Sequence, residues 1–294
     1  MLKLKTILTP VDFSNRSIAA AEHSVAMAER FGSNLIFFHA IPPAPYQYAA
    51  FEGGYYTGAS WPTGAESRKY FKKQLDALVK RVSPRLPVEK VVVEGDPGRE
   101  IEQIIQDRQV DLVVMPTHGY GPFRRFVLGS VTSKVLHDVT CPVFTGAHVE
   151  EIPPHDPAPY EHVGCALDLQ PHSEAVLNWA WEFAQAENAK LSVIHAVPVI
   201  DTGIIVLEQS APSWRLQLIS HAKEQVDKLL AKVGAKAEVF IESDDVQRYV
   251  AKVAKDNEMD LIVIGRSMDH SLFGRLRTNA YAVIRESPCP VVSV

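Results

Sequence analysis

VDFSNRSIAAAEHSVAMAERFGSNLIFFHAIP, residues Val11–Pro42, returns without a gap as LDLQPHSEAVLNWAWEFAQAENAKLSVIHAVP, residues Leu167–Pro198. Asp12 falls on Asp168, Ser17 on Ser173, Ala28 on Ala184, Leu35 on Leu191, and His39-Ala40 on His195-Ala196. Further on, VDLVVMP (Val110–Pro116) matches MDLIVIG (Met259–Gly265), and TCPVF (Thr140–Phe144) matches PCPVV (Pro288–Val292). Matches in one order along the whole chain mean that the chain is one domain written twice. An acidic, proline-rich stretch between the copies reads as a linker. The expected organisation is a first domain at 1–147, a linker at 148–160 and a second domain at 161–294.

Within the first copy, apolar runs of strand length alternate with segments of helical period. Strands are expected at Thr6–Val11, Asn34–Ala40, Glu89–Glu94, Leu112–Met115 and Val143–Gly146. Helices are expected at Ser17–Phe31, about Ser67–Val82, Pro97–Asp107 and about Ser130–Asp138. Asp96 before Pro97 is a start signal: a capping acceptor followed by a residue that suits the first turn. Runs such as LVVM and LIVI are apolar throughout, as parallel strands covered on both faces must be. The fold class is therefore α/β, with two tandem doubly wound domains of five parallel strands each.

The totals narrow the function classes. The 294 residues are 46% hydrophobic and 22% charged, with a net charge of −5. That balance disfavours a nucleic-acid binder, which carries a basic face. No apolar run is long enough for a membrane span, and the N-terminus lacks the pattern of a signal peptide. Three cysteines at no paired spacing suit a reducing interior, so a cytoplasmic protein is expected. Cys141 and Cys289, paired by the repeat, read as small buried hydrophobes.

Open α/β sheets bind ligands beyond the carboxyl ends of the strands, where strand order reverses. If the first and fourth strands flank that point, the loops starting at Asp12 and Pro116 share one crevice. The second loop, MPTHGYGPFRRFVLGSVTSK (Met115–Lys134), brings glycines and then opens a helix at Gly129-Ser130. Glycine lets a backbone approach an anion, and free N–H groups at a helix start point toward it. Ser130 and Thr132 add hydroxyls, Arg124 and Arg125 add charge, and Asp12 can accept from a ribose or a base. Read alone, the spacing fits a phosphate cradle and equally an ordinary turn before a helix. Neither GxGxxG after the first strand nor GxxxxGK[ST] is present.

With TPVDFS, HAIP, GDPGREI and the glycine loop in place, the sequence resembles the universal stress protein family in its tandem two-domain form. The phosphate motif of nucleotide-binding members is Gly-x2-Gly-x9-Gly-Ser/Thr. Here Gly119 and Gly129 keep the nine-residue spacing, Ser130 follows, and Pro116 replaces the first glycine. The resemblance implies ATP, or AMP or ADP, with Mg2+ as a companion. Adenosine would be held by Pro10, Val11, Asp12 and the backbone at Ala40. The phosphates would lie among Met115, Pro116, His118, Gly119, Gly129, Ser130, Val131 and Thr132. The implied role is that of a nucleotide-binding stress-response or regulatory protein with no assigned catalytic residue. Slow ATP hydrolysis or phosphoryl transfer, and a nucleotide-free scaffold, are the alternatives.

The second copy departs from the motif, with Met268 at the second glycine, Arg277-Thr278 in place of Gly-Ser, and SDDV (Ser243–Val246) in place of GDPG. It reads as a structural partner; the rival reading is that Arg266, Arg275 and Arg277 form a different anion site or reach a neighbouring domain's nucleotide. His39 and His195, at one place in the two copies, read as structural. The aromatic loop 43–66, with Tyr46, Tyr48, Phe51, Tyr55, Tyr56 and Trp61, is expected to act as an interface or lid. A homodimer through that loop or through the last strands, Val143–Gly146 and Val291–Val294, is a further expectation, without nucleic acid or membrane as partner.

Overall fold

The computed structural model describes residues 2–42, 64–83, 85–117, 128–146, 159–197, 211–266 and 278–294. Most of the expected linker and of the aromatic loop lie outside these residues, as do His118, Gly119, Arg124, Arg125, Met268, Arg275 and Arg277. The chain divides into two compact units, Lys3–Pro157 and a second that takes Ala158–Val294.

In the first unit the strands are β1 (Thr6–Pro10), β2 (Asn34–Ile41), β3 (Val88–Glu94), β4 (Leu112–Pro116) and β5 (Val143–Gly146). They alternate with α1 (Asn15–Phe31), α2 (Ala65–Val82), α3 (Pro97–Arg108) and α4 (Ser130–Asp138). Every strand pairing is parallel, in the order β3-β2-β1-β4-β5. The order reverses between β1 and β4, which puts the crevice between the Asp12 and Pro116 loops, as the sequence leads one to expect.

The second unit repeats this plan with β6 (His162–Ala166), β7 (Lys190–Val197), β8 (Glu238–Ser243), β9 (Leu261–Ile264) and β10 (Val291–Ser293). Its helices are α5 (Ser173–Glu187), α6 (Ala211–Val233), α7 (Val246–Asp256) and α8 (Thr278–Glu286). Its strand order is β10-β9-β6-β7-β8, again parallel.

Burial on both faces explains the unbroken apolar strands. Ile7, Leu8, Phe37, Phe38, Leu112, Val143 and Phe144 are all essentially inaccessible. Each such side chain stabilises the fold by roughly 1.5–3 kcal/mol relative to exposure. Helix α1 lays Ala20, Ala21, Ser24 and Ala28 against the sheet, so its axis can approach closely. It starts two residues before the expected Ser17, because Ser14 Oγ accepts from Ser17 N–H at 3.2 Å and caps the turn. Gly32, at φ +65°, closes it in a left-handed conformation that favours glycine.

The aspartates of VDLVVMP and MDLIVIG set strand register. Asp111 Oδ2 accepts from the backbone of Lys5 (2.8 Å) and Thr6 (2.9 Å) at the entry to β1. Asp260 does the same for Glu161 and His162 at the entry to β6. The three cysteines are buried and in thiol form, and burial pushes the Cys289 thiol up to about 12. No described helix is long and apolar enough to cross a membrane.

Candidate functional site

The crevice of the first unit begins with a turn that the sequence did not announce. Phe13 sits at φ +63°, unusual for a bulky residue, and its counterpart Leu169 sits at φ +59°. The flanking aspartates impose it. Asp12 Oδ1 accepts from Ser14 N–H (2.9 Å) and Ser14 Oγ (2.5 Å), a side-chain-closed turn. Asp168 Oδ1 likewise accepts from Gln170 N–H (3.0 Å) and from Ser173 Oγ (3.1 Å). The turn leaves Asp12 exposed at the mouth of the crevice, with Oδ1 engaged in the turn.

Beside it, Val11 is buried and its backbone is already used: its N–H donates to the Phe38 carbonyl at 2.8 Å and its carbonyl takes His39 Nδ1 at 2.7 Å. Val11 therefore contributes position to the crevice and holds no spare backbone donor. The contact makes Nδ1 the protonated nitrogen of His39. Burial depresses the pKa of this imidazole, so it stays neutral. Its ring lies 4.9 Å from that of Phe13 and 4.3 Å from that of Phe71 on α2. His195 makes the same bond to the Leu167 carbonyl at 2.8 Å, which gives both histidines the structural role expected of them.

Pro10 is the last residue of β1, paired with Phe38. Because the Phe38 carbonyl faces β1, alternation along β2 turns the Ala40 N–H and carbonyl the same way. That places them just past the last β1–β2 pair, where they look into the crevice. The edge of a base presents the complementary donors and acceptors.

Across the reversal point, Met115 and Pro116 end β4, both buried, with Pro116 paired to Gly146. The proline has no N–H, but its carbonyl is used: Thr132 Oγ1 donates to it at 3.0 Å. Thr132 is therefore turned inward and buried, its hydroxyl proton spent on the protein, contrary to the expectation that this hydroxyl serves phosphate. Gly129 N–H is engaged too, donating to the Thr117 carbonyl at 2.9 Å. These two bonds fasten the start of α4 to the end of β4.

What remains at that start is the first turn. Gly129 caps α4 with no side-chain hydrogen bond, at φ −61° and ψ 147°. Any residue adopts that backbone; Ser14, Asp96 and Asp245 adopt nearly the same one and cap α1, α3 and α7 with their side chains. Gly64, which opens α2, needs glycine for its φ of +64°, whereas Gly129 does not. At Gly129 the consequence of glycine is an uncapped first turn, with the N–H groups of Ser130, Val131 and Thr132 lacking intrahelical acceptors. Ser130 is exposed beside them.

The same region of the second unit is filled from within. A Cβ built on Gly265, the counterpart of Pro116, would stand 2.8 Å from Cδ2 and Nε2 of His172. His172 Nε2 also lies 3.6 Å from Asp168 Oδ2. Arg266, the counterpart of Thr117, is buried at the end of β9. Ala280 takes the place of Thr132 and has no hydroxyl to brace the strand end.

Sequence reasoning missed Ser14, Thr117 and His172, which act only through these contacts. Ser14 carried a signal, a serine three residues before Ser17 at a helix start. Among the described residues no group of three or more His, Cys, Asp or Glu side chains is arranged to hold a metal.

Comparison with known proteins places this architecture. The universal stress protein family model matches residues 3–145 and again 159–294. A universal stress protein of Methanocaldococcus jannaschii is 28% identical over 141 residues, covering 47% of this chain and 79% of its own length. Universal stress protein A homolog 1 of Coxiella burnetii is 31% identical over 142 residues, 46% of this chain and 96% of its own. Each of these relatives thus corresponds to about one of the two copies. A universal stress protein structure from Archaeoglobus fulgidus superposes with a TM-score of 0.69 at 19% identity, covering 99% of this chain and 98% of that one, and so shares the fold. This chain belongs to the universal stress protein family and carries its domain twice.

Proposed function

We propose that the first unit binds an adenine nucleotide, ATP foremost, in the crevice between β1 and β4, and that the chain is a nucleotide-responsive regulatory protein. The observation that carries this is the start of α4. Its glycine cap is not demanded by the backbone, and its first-turn N–H groups are left for an outside acceptor at the positive end of the helix. The phosphates would take the N–H groups of Ser130, Val131 and Thr132 and the Ser130 hydroxyl, with Gly119 and His118 on the preceding loop. The exposed Asp12 carboxylate would accept from the ribose hydroxyls, and the Ala40 backbone would meet the edge of the base. The crevice fits a nucleotide better than it fits a resident metal. Mg2+ would arrive with the phosphates and be held chiefly by them and by water.

A hydrolytic role has less support. It needs a base beside the terminal phosphate. The contacts given above assign no residue to that step.

Calorimetric titration of ATP, with and without Mg2+, into protein stripped of co-purified nucleotide tests the proposal. Saturation near one equivalent per chain supports it. Two equivalents would show that the second crevice opens despite His172, and no heat at millimolar ATP would refute the proposal.

A further inference from the structure

We infer that Asp96, Gly98 and Lys134 form a clasp between α3 and α4 that fixes where the first turn of α4 points, which makes Lys134 a positioning residue for the phosphate end of the crevice. Asp96 Oδ1 accepts from two directions at once. It caps α3 through Arg99 N–H at 2.9 Å and receives Lys134 Nζ, from α4, at 2.6 Å. The bond from Lys134 holds the Asp96 carboxyl below its usual range, and the same contact raises the Lys134 ammonium. A capping atom that belongs to one helix is thereby tied to the other.

The stem of Lys134 crosses Gly98 to get there. A Cβ at Gly98 would stand 2.5 Å from Lys134 Cδ, 3.0 Å from Cγ and 3.2 Å from Cε. Glycine is needed at that position for the lysine to lie flat across the first turn of α3. Lys134 is one helical turn after Ser130, on a helix of nine residues. Any rotation of α4 that broke the Lys134 contact would swing the Ser130–Thr132 N–H groups by a similar angle.

The second unit supplies an internal comparison. Asp245 caps α7 through Arg248 N–H at 3.2 Å, as Asp96 caps α3. Gln247 stands where Gly98 does, and Ala282 where Lys134 does. The cap survives in both units; the passage and the lysine occur only in the unit whose fourth helix opens with Gly-Ser. A cap that served only helix stability would need neither. The functional half of this inference rests on the nucleotide reading above; the structural half does not.

Two measurements on the full chain separate them. The first is amide hydrogen exchange at Gly129 and Ser133 in nucleotide-free protein, since those N–H groups bond to Thr117 and Gly129 and report fraying at the start of α4. The second is ATP affinity by calorimetry. Lys134→Met and Gly98→Gln should each speed exchange at both amides and weaken ATP about two- to five-fold, the size expected of one exposed ion pair. Lys134→Arg should restore both to within about two-fold, while all three variants keep the global unfolding midpoint near that of the parent. Unchanged exchange in Lys134→Met overturns the clasp. Faster exchange with unchanged ATP affinity overturns its role in positioning the site. Faster exchange in a chain whose parent binds no ATP upholds the clasp and refutes the nucleotide reading instead.

Discussion

Replacing Gly129 by Asp should make the first unit more stable and its nucleotide site useless. The backbone at Gly129 (φ −61°, ψ 147°) nearly coincides with that of Asp96 (φ −67°, ψ 120°) and Asp245 (φ −65°, ψ 132°). Those carboxylates cap the third residue of their helices at 2.9 and 3.2 Å. An Asp at 129 would therefore reach Thr132 N–H without strain. The cap is a few tenths of a kcal/mol better than glycine, and the charge at the helix start adds about 0.3–1 kcal/mol. At 2–4 °C per kcal/mol for a unit of this size, the melting midpoint should rise by about 1–5 °C.

The same carboxylate would remove a phosphate donor worth about 1.5–3 kcal/mol for a charged acceptor. It would also face a phosphate charge at about 4 Å, where repulsion is about 4 kcal/mol at an effective dielectric near 20. Even half of that sum weakens ATP about 100-fold. Calorimetric ATP titration beside differential scanning calorimetry reads both effects, with Gly129→Ala as the control that adds no acceptor and stays within a few-fold of the parent. A Gly129→Asp protein that melts higher and still binds ATP normally would refute the placement of phosphate at the start of α4.

Two further perturbations address how the crevice is held. Burial against the sheet, where its ring lies 4.7 Å from that of Phe144, depresses the pKa of His23 from 6.5 to about 4, with Arg30 adding a smaller push. The unfolded chain therefore takes up a proton first, so stability is lost as pH falls from about 6.5 toward 4 and levels off below. The total is about 3 kcal/mol. Urea midpoints of the parent and His23→Leu at pH 7 and pH 4 should show that much less pH dependence in the variant; parallel lines would count against a neutral buried His23. Thr132→Val removes a buried donor to the Pro116 carbonyl and should cost about 1–3 kcal/mol in urea unfolding, where no loss would mean that the strand end is satisfied without it.

The elements were legible because their signals are local. Unbroken apolar strands, Gly32 after α1, and Asp96-Pro97 before α3 each state their own structure, and the repeat let one half check the other. Alternation and right-handed crossovers indicated a doubly wound sheet, but the reversal between β1 and β4 was only a condition in the sequence and is given by the strand order. The site was legible only in outline. Nothing in the composition of VDFSNRS marks Phe13 as left-handed, since the conformation is imposed by the bonds from Asp12 to Ser14. Thr132 was read as a phosphate donor because a hydroxyl next to Gly-Ser suggests one; its actual acceptor, the Pro116 carbonyl, lies 16 residues away and depends on how the helix docks. His172 was passed over for the same reason: it matters through contact with Gly265, just past a strand that comes nearly a hundred residues later.

That histidine gives the two halves different dependence on their surroundings. A crevice filled by its own side chain is complete as soon as the chain folds, and its stability is set by sequence alone. A crevice left open gains RT ln(1 + [L]/Kd) from whatever occupies it, about 2.7 kcal/mol when ligand stands at 100 times its dissociation constant. With a nucleotide in the first crevice, one half of the molecule would register the cell's supply while the other stayed constant, a gauge and its reference on a single polypeptide.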